Sequence, residues 1–220
     1  MLKAQRFLIF SSIILMVLFY GCATSLPMKS SINDFVMMST KTNSKANVKF
    51  DYDSQVADGL IKPFKKDKIK VISGHFGFNH TESATLGRMM KEYMGNKFMN
   101  INDAGNTSIK ATLKDFWLEQ YSTDSTGMQL LVAFGGGETN IICVTKVKVL
   151  LTINHNGEEY TKMISVSSEA NHVSGMGTGT NTSNLYRGKE SIQHVHANNI
   201  NKANNKVVMM MNSYFDEIGL

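Results

Sequence analysis

The chain has 220 residues, 23 Lys and Arg against 18 Asp and Glu, a formal net charge of +5 and 42% hydrophobic residues. That is enough for one core-forming domain with an appendage, and the charge is too mild to argue for nucleic acid. Fifteen methionines against two prolines point to an adaptable core and to nothing more specific.

Met1 to Cys22 decides where the rest must live. Lys3 and Arg6 give a cationic start, Phe7 to Tyr20 is apolar apart from Ser11 and Ser12, and Gly21-Cys22 follows at once. The apolar run of about 14 residues is short of the roughly 20 that a membrane-spanning helix needs, so it reads as an export signal. It resembles bacterial lipoprotein signals, in which a small residue precedes an invariant Cys that becomes the first residue after cleavage and carries lipid. Phe19 and Tyr20 are bulkier than is usual there, and an uncleaved anchor or an ordinary secretory signal are the alternatives. The resemblance implies lipidation of Cys22 and attachment to the membrane through that lipid. Because Ala23 stands where Asp would retain such a protein, it also implies the outer membrane, facing the periplasm. Loss of Met1 to Gly21 would leave 199 residues, 21 basic and 18 acidic, a balance of +3. With Cys22 acylated, Cys143 has no partner, so no disulfide is expected.

Residues 22–46 are rich in Ser, Thr, Asn and Lys around the apolar island Phe35-Val36-Met37-Met38, and read as a tether with one weak strand. The folded domain is expected over 47–220. Val48, Phe50 and Tyr52 alternate with Lys49 and Asp51 as a short amphipathic strand. Lys62-Pro63-Phe64-Lys65-Lys66-Asp67-Lys68-Ile69-Lys70 is the basic cluster, a solvated loop or a contact for anionic headgroups. Ile69 to Ile72 is a strand candidate. Leu86, Met89, Met90, Tyr93 and Met94 recur at helical spacing, predicting a helix capped by Thr81 or Ser83 and ending near Gly95.

The clearest pattern lies between Ser108 and Ser168. Ile109, Ala111 and Leu113 alternate with polar residues, and the strand continues through Phe116, Trp117 and Leu118. Ile141, Cys143, Thr145, Val147, Val149, Leu151 and Ile153 form one face of a second strand. Asn156-Gly157 supplies the two positive-φ positions of a tight hairpin, and Tyr160, Ile164 and Val166 alternate away from it. Gly135-Gly136-Gly137 lacks the Lys-Ser/Thr of a phosphate loop and reads as a connection or bulge. Ser174 to Asn184 reads as a loop. A second helix follows from Asn199, lined by Ala203, Val207, Met210, Met211, Tyr214 and Ile218. The order predicts an α+β fold, an antiparallel β-sheet meander with two helices packed on one face.

Chemistry is sparse. His194 and His196 would point the same way on a strand, yet no Cys pair or H-E-x-x-H completes a zinc set, so no metal is assigned. No G-x-S-x-G elbow and no matched carboxylate pair is present, so no catalytic residue and no cofactor is assigned. Cys143, within Ile141-Ile142-Cys143-Val144, reads as a small buried hydrophobe. Phe116 and Trp117 read as core and edge packing.

Gly21-Cys22, the helix Leu86 to Met94, the strand Ile109 to Trp117, the Asn156-Gly157 hairpin and the terminal helix together resemble the YajG-type group of outer-membrane lipoproteins, over residues 68 to 218. The chain departs from that group in the stretch 174–184 and in the tether. The resemblance implies fold and location, with no catalytic residues to carry over. Two functions are open: a non-enzymatic binding or assembly lipoprotein of an envelope complex with an envelope protein partner, or a binder of a small apolar ligand between sheet and helices. An exposed apolar patch at an edge strand favours the first, and an internal cavity lined by Met-rich helices favours the second.

Overall fold

Asn156 and Gly157 have φ of 53° and 84°, both in the left-handed region. They close the two-residue hairpin that the sequence specified, because a turn of this hand matches the twist of the strands it joins. The computed structural model describes residues 24–27, 44–65, 76–80, 86–124, 137–176 and 192–220. In chain order these form β1 (Thr24–Pro27), β2 (Ser44–Ser54), β3 (Gly59–Ile61), β4 (Phe64–Lys65), β5 (Phe76–His80), α1 (Leu86–Lys97), β6 (Phe98–Ile101), β7 (Thr107–Ser122), β8 (Gly137–His155), β9 (Glu158–Met176) and α2 (Ile192–Glu217). Several expectations lie outside the described residues: Cys22, the Phe35 to Met38 strand, the Ile69 to Ile72 strand, the helix caps at Thr81 and Ser83, and most of the Gly/Thr-rich stretch.

The fold is α+β. A six-stranded sheet runs β6-β2-β7-β8-β9 with β4 also beside β7, and a three-stranded sheet runs β1-β5-β3. β7, β8 and β9 are the antiparallel meander. The large sheet is mixed, however, because β2 lies between β6 and β7 and is parallel to both. The chain therefore crosses from one side of β2 to the other between β6 and β7. Gly105 makes this crossing possible: a Cβ there would sit 2.6 Å from both Lys49 N and Val48 C. Asn102 secures the same turn, donating from its backbone N to Val48 O at 3.0 Å.

The seven β8 residues expected on one face, Ile141 to Ile153, are all 0% exposed. On β7 the inward parity changes partway. Ile109, Ala111 and Leu113 face the core, a register shift at Lys114 inserts one residue, and Phe116, Leu118 and Gln120 then face inward. Such a bulge swaps the two faces of a strand, and here it turns Trp117 outward. The helices cover the inner face. Leu86, Met89, Met90, Tyr93 and Met94 of α1 are buried as their spacing predicted, but the helix continues through Gly95 to Lys97. α2 packs on β8 and β9 through Ala203, Val207, Met211, Tyr214 and Phe215, with Ile218 partly buried against them. Met210, expected on that line, is instead 44% exposed. Asn205 is 8% exposed and donates from Nδ2 to Asn201 O at 2.8 Å.

The helices are tied together by a polar clasp. Lys97 Nζ, with a fully buried side chain, reaches Asp216 Oδ1 at 2.5 Å and Asn212 Oδ1 at 3.2 Å, and Tyr93 Oη donates to Asn212 Oδ1 at 3.1 Å. Burial, helped by the Asp216 charge, pushes the Tyr93 phenol well above its usual range. Tyr93 and Phe215 stack at 6.1 Å beside it. α2 ends where Gly219 adopts φ 79° and Leu220 N donates to Phe215 O at 2.8 Å, a closure that only a left-handed residue permits at low cost.

Candidate functional site

Two regions of the described molecule hold groups beyond plain packing. The first is a polar layer beneath the N-terminal half of α2. Because His194 and His196 lie on a helix rather than a strand, two residues apart means opposite sides: His196 is 0% exposed and His194 is exposed. The shared metal-facing geometry that a strand would have given them is absent, and no group of three or more His, Cys, Asp or Glu suited to a metal ion occurs among the described residues.

His196 Nε2 lies 3.3 Å from Gln120 Oε1, with the Phe78 ring centroid at 6.3 Å. Burial, and secondarily His172, push its pKa down to about 4, so the ring is neutral at physiological pH. One turn on, Asn199 Nδ2 donates to Ser168 O at 2.8 Å, Cys143 O at 3.0 Å and Thr145 Oγ1 at 3.3 Å. One amide group thereby pins α2 to both β8 and β9. Cys143 is fully buried, and burial pushes its thiol up to about 12, so it is the small hydrophobe that its neighbours suggested. This layer orients the helix on the sheet. Among the described residues it brings no nucleophile beside a base.

The second region is a cleft where α2 overhangs the edge strand β9. It is lined by Ser165, Val166, Ser167, Lys206, Met209 and Met210, encloses about 300 Å³ and is open to solvent. Among the described residues the outer edge of β9 pairs with no strand. Lys206 Nζ reaches Ser167 O at 3.4 Å, occupying one edge carbonyl. Met209 and Met210 are 41% and 44% exposed, and Met163 on β9 itself is 50% exposed. The sequence hid this patch, since the six apolar residues from Val207 to Tyr214 include more than one helix face can bury. The methionines of α1, by contrast, are wholly packed into the core. Phe116 is likewise core, while Trp117 lies against Phe64 on the outer face of the sheet, ring centroids 5.4 Å apart.

No protein family and no curated protein matches the chain. Among solved structures it is similar to a Xanthomonas campestris protein assigned to the family DUF330, with 7% identity, a TM-score of 0.42 and coverage of 88% of this chain and 99% of that one. It is also similar to a minor lipoprotein from Acinetobacter baumannii, with 8% identity, a TM-score of 0.40 and coverage of 79% of this chain and 95% of that one.

Proposed function

We propose that the protein is a lipid-anchored, non-enzymatic lipoprotein of the cell envelope, a YajG-like accessory component that binds an envelope protein through the β9 edge and the adjoining face of α2. The anchor is the lipid on Cys22, and the location is the periplasmic side of the outer membrane. The address rests on the Lys3 to Cys22 pattern. The binding role rests on one observation: exposed Met209 and Met210 flank a sheet edge that has no strand partner among the described residues. Such an edge offers backbone donors and acceptors to an extended segment, and methionines adapt to irregular partner surfaces.

A photo-crosslinking residue at Ser165 or Met210, in the chain expressed at native level, tests the role. A discrete protein adduct that disappears with Met209→Lys and Met210→Lys supports it. Adducts consisting only of phospholipid or fatty acid would favour the apolar-ligand reading and defeat this one. Labelled fatty acid incorporated in the wild type and lost in Cys22→Ser tests the anchor separately.

A further inference from the structure

On the outer face of the sheet, the side away from the helices, Trp117 is 41% exposed and Phe64 is 52% exposed, and their ring centroids lie 5.4 Å apart at 39°. Two large aromatics left in water on a strand are a cost unless something covers them. The segment carrying Phe64 continues from Lys62 to Lys70 with five lysines and one aspartate. Glu119, which pairs with Phe64 in the ladder, is already held by Lys146 Nζ at 3.1 Å. The described patch is therefore a pair of exposed aromatics with exposed Lys62 two residues from Phe64 and the neighbouring Glu119 carboxylate paired, a composition that suits an anionic lipid interface.

Strand register ties this patch to the N-terminus. Thr24 of β1 is level with Phe76 of β5, and Ile61 of β3 is level with Phe78. β3 runs antiparallel to β5 and β1 runs parallel to it, so the end of β3 from which the chain leaves for Lys62 and Phe64 is the end of the small sheet at which β1 begins. The start of β1 and the end of β3 thus lie at the same end of the small sheet, two strand spacings or about 10 Å apart. Cys22 precedes Thr24 by two residues, a reach of at most about 7 Å.

From this juxtaposition we propose that Trp117, Phe64 and Lys62 form a membrane-docking face that rests on the anionic phospholipid surface holding the Cys22 lipid. The inference rests on the lipoprotein reading and adds to it an orientation. The domain lies against the bilayer on this face and turns the β9 edge elsewhere, instead of swinging on a long tether. Aromatic rings with one wet edge settle at the headgroup level, and lysines add attraction to anionic lipid that falls off within a Debye length.

Trp117 is the single tryptophan of the chain, so its fluorescence reports on this face alone. The mature protein, purified from membranes and reconstituted into vesicles, is compared in phosphatidylcholine alone and in phosphatidylcholine with phosphatidylglycerol, with and without brominated acyl chains. Brominated lipid should quench Trp117 in the anionic vesicles, by roughly half, with aqueous acrylamide losing access in parallel. Phe64→Ser and Lys62→Glu should each reduce this quenching, and added salt should do the same. Trp117 that stays open to acrylamide and blind to brominated lipid would overturn the proposal. So would protection found in native membranes and absent from pure lipid vesicles, which would make the face a protein contact. The mass of the N-terminal peptide separates the two readings. Acylated Cys22 with unquenched Trp117 refutes only the docking face, and unacylated Cys22 with quenched Trp117 refutes only the anchor.

Discussion

Acidification should remove stability from this protein through the His196 ring before most of its carboxylates titrate. The ring is 0% exposed, sits among Gln120 and Phe78, senses the charge of His172, and has a pKa lowered from 6.5 to about 4. The unfolded chain binds a proton on this residue as the pH falls below about 6.5, and the native state does not until about 4. Between those values the unfolded state carries more protons, so the stability from burying a neutral ring is complete above about 6.5 and is lost on the way down to 4. A difference of about 2.5 pKa units at 1.36 kcal/mol each makes the full loss about 3 kcal/mol. That is a large share of a typical domain's roughly 5–15 kcal/mol. Denaturant midpoints of the protein and of His196→Gln, measured at half-unit steps from pH 7.5 to 4, isolate the effect, because carboxylates contribute equally to both. The difference between the two should shrink steadily with acidification. Parallel curves, or a native ring that titrates near 6.5 by NMR, would refute the argument.

Met211→Ala, at a fully buried position on α2, should cost about 2–5 kcal/mol in the same measurement, whereas Met210→Ala, 44% exposed one residue away, should stay within about 0.5 kcal/mol. Gly105→Ala should lower the thermal midpoint, since its Cβ meets backbone atoms at 2.6 Å that cannot yield without moving β2; an unchanged midpoint would remove the close crossing from the account. Cys143 in the Cys22→Ser chain should resist a disulfide reagent at pH 8 and react fully once the protein is unfolded, because burial holds its thiol near 12; prompt native-state labelling would contradict that environment.

Local patterns were enough for the parts of the molecule whose partners are close in sequence. The unbroken β8 face, the Asn156-Gly157 turn and the α1 stripe each bury residues at a period that only one secondary structure satisfies, so the α+β fold could be read directly. The pattern that reads as an export signal is also local, in Lys3 to Cys22. Position across the sheet was another matter. Nothing within Ser44–Ser54 says that β2 has parallel neighbours on both sides, because parallel pairing depends on segments tens of residues away. The expected tether contains Thr24–Pro27, which tertiary contact draws into a strand beside β5. One extra residue at Lys114 decides that Phe116 is core and Trp117 faces out, although alternation alone does not locate a bulge. His194 and His196 changed meaning for a similar reason, since a two-residue spacing unites side chains on a strand and separates them on a helix. The sequence by itself thus determined the α+β class, the tight hairpin and the buried faces of α1 and β8. Only the tertiary structure decided which of the surplus apolar residues remain outside, because a helix or strand has one core-facing side and packing selects what fills it.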